Sequence, residues 1–189
     1  MFTGIIKSTG KVLKAEKKSG SLYLTIQKPK GWKIKLGESI STDGVCLTVA
    51  KMASGTYTCE LMEETLKKSY FGSYMPKYVN LEQSMRLGDR LDGHFVLGHV
   101  DTVGKIKSIE KMKSGTVYTI SYPKAFSMFV VAKGSITVDG ISLTVVEKKL
   151  NYFSVSLVDY SLKNTTIKEK KSGDPVNLEF DILGKYLLK

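Results

Sequence analysis

Cysteine, histidine and long apolar runs are all scarce in this sequence, and each scarcity removes a class of answer. The two cysteines, Cys46 and Cys59, show no Cys-x-x-Cys spacing. That excludes a zinc ribbon and argues against a disulfide framework. The two histidines, His94 and His99, both fall in GHFVLGHV. On an extended segment their odd separation points them to opposite faces, so they do not jointly grip a metal, and no metal site is expected. No apolar run approaches the ~18 residues that a membrane helix needs. The opening MFTGIIKSTG lacks the basic region, apolar stretch and small-residue cleavage site of an export signal. A cytoplasmic location without membrane contact is the expectation.

Lysine is what the chain has in excess. Lys and Arg number 29 against 18 Asp and Glu, a formal charge of +11. Such a balance invites a nucleic-acid partner. The lysines are scattered, however, in pairs at 17–18, 67–68, 148–149 and 170–171. That distribution suits a solvated surface. An RNA-binding barrel would interleave aromatic and basic residues on exposed strands. YTCELM and YFSVSL do not, and no nucleic acid is expected.

The sequence is written twice. SISTDGVCLTV (residues 39–49) returns as SITVDGISLTV (residues 135–145), with seven of eleven positions identical. TGIIKSTGKV (3–12) resembles LGHVDTVGKI (97–106), and YVNLE (78–82) resembles PVNLE (175–179). The offsets of 94, 96 and 97 are nearly constant, so two homologous lobes are present and not an array of short repeats. The predicted division is 1–90, 91–180 and a tail over 181–189, with the polar RLGDRLDGH as connector.

Both lobes read as short strands rich in β-branched and aromatic residues, which predicts an all-β fold of small barrels. ETLKKSYF, SLKNTTIK and YPKAFSMFVV each suit a turn of helix. In DILGKYLLK, Ile182, Leu183, Tyr186 and Leu187 take helical spacing behind Asp181 as N-cap. In GVCLTV, alternation puts Val45, Leu47 and Val49 on the core face, with Cys46 and Thr48 opposite. In GISLTV, Ile141, Leu143 and Val145 face the core, with Ser142 and Thr144 opposite. The preceding Asp-Gly supplies a tight reversal. A small hydrogen-bonding pair kept at the same place in both lobes suggests two similar pockets, for two copies of one ligand or two related ones.

MFTGII, GVCLTV, the VNLE of each lobe, GHFVLGHVDT and KGSITVDGISLTV together resemble the riboflavin synthase family, over Met1 to about Lys185. That resemblance implies two tandem six-stranded Greek-key barrels, a short C-terminal helix and a homotrimer whose active sites form between unlike lobes of two subunits. It implies a cofactor-free dismutation of two molecules of 6,7-dimethyl-8-ribityllumazine, with lumazine synthase as a further partner. The products would be riboflavin and 5-amino-6-(D-ribitylamino)uracil. A non-catalytic lumazine- or flavin-binding antenna protein on the same barrels is the alternative. The set Cys46, His99 and Ser142 argues against it.

The resemblance also implies site residues. In the first lobe they are Val45, Cys46, Leu47 and the segment Glu60, Leu61, Met62, Glu63, Glu64 and Thr65. In the second they are Lys133, Ser142, Leu143, Thr144 and the counterpart segment Ser156, Leu157, Val158, Asp159, Tyr160 and Ser161. Gly4, Ile5 and Ile6 follow Phe2 in the opening strand; Gly98, His99 and Val100 occupy the joint; Asp181 follows the second VNLE. His99 is the candidate for proton transfer, since imidazole titrates near neutrality. Cys46 and Ser142 would hydrogen-bond a pteridine ring or add to it, Thr144 would support Ser142, and Phe2 would wall a ring. The family's Ile-Pro segment is replaced here by LVDYSL, in which Ser161 keeps a hydroxyl. The nine-residue tail is short for a helix that must stand alone, so it must dock to fold.

Overall fold

In a computed structural model, which describes residues 1–188, the strands close into two separate antiparallel barrels. The first contains β1 (Ser8–Lys18), β2 (Ser21–Gln27), β3 (Ser39–Thr42), β4 (Val45–Ala53), β5 (Thr56–Leu61) and β6 (Tyr78–Gln83). The second contains β7 (Thr102–Met112), β8 (Gly115–Ser121), β9 (Ser135–Val138), β10 (Ile141–Lys148), β11 (Tyr152–Leu157) and β12 (Pro175–Phe180). Around the first barrel the order is β1-β2-β5-β4-β3-β6, and β7-β8-β11-β10-β9-β12 repeats it strand for strand. The all-β, two-barrel expectation holds.

Closure follows from the pattern of side chains and from four bulges. Val45, Leu47 and Val49 are buried while Cys46 is half-buried and Thr48 exposed, the alternation that one wetted and one packed face demands. Ile141, Leu143 and Val145 repeat it on β10. The β1–β2 register slips between Val12 and Lys14, and β7–β8 slips between Ile106 and Ser108. Matching slips fall at Val49/Lys51 and Val145/Glu147. An extra residue at these points bends the strand and raises its twist, which lets so short a sheet meet its own edge. Among the described residues helix is confined to α1 (Glu63–Lys68), α2 (Asp159–Asn164), α3 (Ile182–Leu187) and three 3-10 turns, one of them Lys124–Phe129. Asp181 caps α3, its Oδ1 accepting from the Leu183 N–H at 3.0 Å. Position 189 of the predicted tail lies outside the described residues.

The Asp-Gly reversals were legible, but their burial was not. Asp43 and Gly44 take φ of +44° and +79°, and Asp139 and Gly140 take +47° and +80°, as a two-residue hairpin of this hand requires. The two turns then meet at the centre of the molecule. A Cβ on Gly44 would lie 2.7 Å from the Gly140 nitrogen, so no larger residue fits. Across the seam Asn80 Nδ2 donates to the Asp139 carbonyl and Asn177 Nδ2 to the Asp43 carbonyl, each at 2.9 Å.

The side chains of both turn aspartates are buried as well. Asp43 accepts from the Asn80 N–H at 2.7 Å and from the Tyr70 hydroxyl. Asp139 accepts from the Asn177 N–H at 2.7 Å and lies 3.1 Å from Lys170 Nζ, which also donates to the Pro175 carbonyl at 2.6 Å. One ammonium therefore faces two buried carboxyl groups. Burial, then repulsion from Asp139, pushes the Asp43 carboxyl up to about 8, so it keeps its proton at neutral pH. Burial pulls Lys170 down, but the attraction of Asp139 outweighs it and holds the ammonium charged. This polar seam fixes how the barrels sit, and so fixes the relation between β4 and β10.

Candidate functional site

Two short segments exchange between the barrels and build a half-site on each. The first runs from Phe2 to Gly4; the second is the joint from His94 to Gly98. They pair antiparallel at Phe2 and Val96, with N–H···O distances of 2.7 and 3.1 Å. Beyond that pair each segment reaches the outer face of a barrel. The Gly4 carbonyl accepts from the Ser142 N–H at 2.8 Å, and the Gly98 carbonyl accepts from the Cys46 N–H at 2.8 Å. Both glycines are left-handed, at φ +76° and +78°. A Cβ on Gly4 would meet the Ser142 Cβ at 2.6 Å, and one on Gly98 would meet the Cys46 Cβ at 2.6 Å.

The glutamate of each VNLE clamps the exchanged segments. Glu82 accepts from the Thr3 N–H at 2.8 Å, the Thr3 hydroxyl at 2.7 Å and the Gly4 N–H at 3.0 Å. Glu179 accepts from the Leu97 and Gly98 N–H groups at 2.8 and 2.9 Å. Burial raises both carboxyls above the usual range, against the pull of these donors. The repeat of VNLE was visible in sequence, yet the clamp was not, because its partners lie some eighty residues away.

On the second lobe the structure brings together more than the sequence reading did. His94 Nδ1 lies 2.7 Å from Ser142 Oγ, and His94 Nε2 lies 3.2 Å from Thr137 Oγ1. His94 is buried, and burial lowers its pKa below the ordinary imidazole value while the charge of Asp181 pulls the other way. The ring is therefore neutral at physiological pH. Sequence reasoning passed over this residue in favour of His99. The signal that could have found it was the odd separation of the two histidines, which does send them to opposite environments: His94 inside, His99 exposed.

Ser142 is half-buried and Thr144 exposed beside it. Lys133 is exposed in a left-handed turn at φ +65°, its N–H donating to the Val145 carbonyl at 2.7 Å. Ile5 and Ile6 are half-buried at the end of the exchanged segment. Ile6 and Tyr160 share a cleft of about 470 Å³, lined also by Lys7, Tyr78, Lys163 and Thr165. Ser156, Val158 and Asp159 are exposed and Ser161 half-buried, so this rim is open. Leu143 and Leu157 turn into the barrel interior and can offer a ligand only their backbone.

On the first lobe Cys46 is half-buried under Gly98, with His99 exposed and Val100 half-buried next to it. Among the described residues His99 has no hydrogen-bond partner. Val45, Leu47 and Leu61 face the core. Glu60 is tied down by the Tyr23 hydroxyl at 2.8 Å, Met62 is exposed and accepts from the Ser21 hydroxyl at 3.7 Å, and Glu63 pairs with Lys67. Glu64 is exposed, and the Thr65 carbonyl accepts from Ser69 at the end of α1. Phe2 is fully buried, so it holds the exchanged segment in place and presents no wall to a ligand on its own protomer. Both cysteines are free; burial pushes Cys59 up to about 12, which leaves it inert. Among the described residues no group of His, Cys, Asp or Glu could hold a metal, and no helix is long and apolar enough to cross a membrane.

Each barrel thus carries a small polar pair on its outer face, bordered by an exchanged backbone segment. Comparison with known proteins places this arrangement. The lumazine binding domain family matches residues 3–84 and again residues 97–181. The riboflavin synthase of Actinobacillus pleuropneumoniae is 41% identical over 189 residues, covering 99% of this chain and 88% of the relative. That of Bacillus subtilis (strain 168) is 37% identical over 191 residues, covering 100% and 89%. Among solved structures, LumP complexed with riboflavin superposes with a TM-score of 0.88 at 20% identity, covering 95% of this chain and 99% of that one, a likeness of fold. Two lumazine binding domains in tandem, with full-length identity to riboflavin synthases around 40%, show that the chain belongs to the riboflavin synthase family.

Proposed function

We propose that this chain is an enzyme that turns two molecules of 6,7-dimethyl-8-ribityllumazine into riboflavin and 5-amino-6-(D-ribitylamino)uracil. The observation that carries the reading is the doubled half-site: Cys46–Thr48 under Gly98 and Ser142–Thr144 under Gly4, built alike on opposite lobes. A reaction that consumes one compound twice needs two seats for it. Four carbons leave one ring and enter the other, so atoms and electrons balance between the two substrate molecules. The proton removed first comes from the 7-methyl group, whose anion the ring delocalises. His99, exposed beside Cys46, is the residue we assign to that transfer. Holding two rings in contact can itself contribute roughly 7–11 kcal/mol where the geometry is good.

Both half-sites are open, and α3 presents exposed Leu183 and Leu187. These features support a homotrimer in which the first lobe of one protomer covers the second lobe of the next. The ribityl chain is neutral and hydroxyl-rich, so the half-buried Ser161 and Glu60 suit it better than the lysine-rich surface does.

Incubating purified protein with the lumazine and following riboflavin by absorbance and fluorescence tests this directly. One riboflavin should form for every two lumazines consumed. The likeness of fold to LumP favours a second reading, a protein that binds lumazine or flavin without converting it. Tight binding with the lumazine recovered unchanged would establish that reading instead.

A further inference from the structure

The hydrogen bonds around His94 have a direction, and the direction assigns a role to the second half-site. Thr137 on β9 stands opposite Ser142 in the β9–β10 register and is 1% exposed. Its hydroxyl has one partner among the described residues, His94 Nε2 at 3.2 Å. A buried O–H left without an acceptor is costly, whereas an unfilled lone pair on the same oxygen is tolerated more easily. Thr137 therefore donates, and Nε2 accepts. A neutral imidazole has one N–H and one lone pair, so Nδ1 must carry the hydrogen. It points at Ser142 Oγ, 2.7 Å away. Ser142 then accepts from beneath, and its own hydrogen is free to turn outward on the half-buried, open side. Successive bonds of this kind polarise one another.

We propose that Thr137, His94 and Ser142 form a one-way donor chain that ends on the bound ring, with Thr137 as a positioning residue. The chain makes Ser142 a hydrogen-bond donor toward negative charge and not a base or nucleophile. No covalent bond forms or breaks within it. The second half-site is then the seat of the ring that becomes an anion when its methyl proton leaves, because that charge spreads onto ring oxygen and nitrogen atoms which accept such bonds. Among the described residues the first half-site has no such chain: the Cys46 N–H donates to the Gly98 carbonyl, and His99, the next residue, is exposed. This assignment rests on the reading of the function given above and adds which lobe stabilises the anion.

The test separates the two. The chain has two histidines, so ring-nitrogen NMR of His99→Gln protein labelled in histidine reports His94 alone, without any turnover. The expected signature is the Nδ1–H tautomer, the less common one in water. Thr137→Val should return His94 to the Nε2–H form, and Thr137→Ser should restore Nδ1–H. With lumazine bound to otherwise unaltered protein, the pH at which its anion absorbs should rise in Thr137→Val and recover in Thr137→Ser. In turnover, Ser142→Ala should lose about 100-fold or more, as when a direct anion donor is removed, and Thr137→Val should lose less. An Nε2–H tautomer in the protein with Thr137 intact overturns the proposal, whether or not the protein turns over. A correct tautomer without any turnover leaves the donor chain standing and sinks the catalytic reading alone. A misfolded Thr137→Val leaves the tautomer of the parent protein to decide.

Discussion

Replacing Gly98 with alanine should damage the protein more than any generic glycine change, and the structure says by how much. Two costs act together at this position. The first is conformational: φ is +78°, where an L residue with a Cβ costs roughly 1–2 kcal/mol. The second is spatial. The new Cβ would lie 2.6 Å from the Cys46 Cβ and 2.8 Å from the Cys46 nitrogen, with no flexible side-chain tip to give way. Relief requires the joint to lift off β4, breaking the 2.8 Å bond from the Cys46 N–H to the Gly98 carbonyl. That loss is about 0.5–1.5 kcal/mol, and the residual overpacking about 1–3 kcal/mol. Gly37 provides the control. Its φ is +80°, but nothing lies within 4 Å of where its Cβ would stand, so Gly37→Ala meets the conformational cost alone. Differential scanning calorimetry should find Gly98→Ala destabilised by about 1.5–4.5 kcal/mol beyond Gly37→Ala. At 2–4 °C per kcal/mol for a chain of this size, that is roughly 3 °C or more between the two variants. Gly4→Ala, whose Cβ would meet Ser142 at the same 2.6 Å, should behave like Gly98→Ala. Equal melting of Gly98→Ala and Gly37→Ala would refute the claim that the joint is pressed against β4.

Two other outcomes follow from the same geometry. His99→Ala should slow lumazine turnover by about 10²–10⁴-fold, the range for a lost general acid–base group, with little change in lumazine affinity; an unaltered rate would return His99 to the surface. Asp43 concerns stability. Its folded pKa is raised from the usual carboxylate value to about 8. The folded protein thus holds a proton there that the unfolded chain releases near pH 4. Its contribution is present below about pH 4 and is lost as pH rises toward 8. Asp43→Asn removes that slope, so the melting temperature of the variant relative to the parent should climb between pH 5 and 8; a constant difference across that window would contradict a protonated Asp43.

How far the sequence could be read depended on whether a feature was local. The alternation in GVCLTV and GISLTV, the Asp-Gly reversals and the Asp181 cap are set by neighbours within a few residues, and each is visible in the letters. The barrels followed from them because repeated short strands with one apolar face have few other ways to bury it. What stayed hidden was every bond made across the molecule. Asp43 and Asp139 read only as turn residues because nothing nearby says that the two turns meet; their burial depends on Asn80, Asn177, Tyr70 and Lys170, which come from four other places. Glu82 and Glu179 read only as part of a repeated VNLE for the same reason. The histidines are the sharpest case. Their spacing says that they part company but not which one goes inside, and the family resemblance points to His99. The exchange of segments between lobes decides the matter, since it lays His94 beneath Ser142 and leaves His99 exposed next to Gly98. A duplication alone would have made two equal half-sites. The joint brings a buried imidazole to Ser142 and leaves an exposed one next to Gly98, and the proposed reaction between two copies of one molecule needs that kind of inequality.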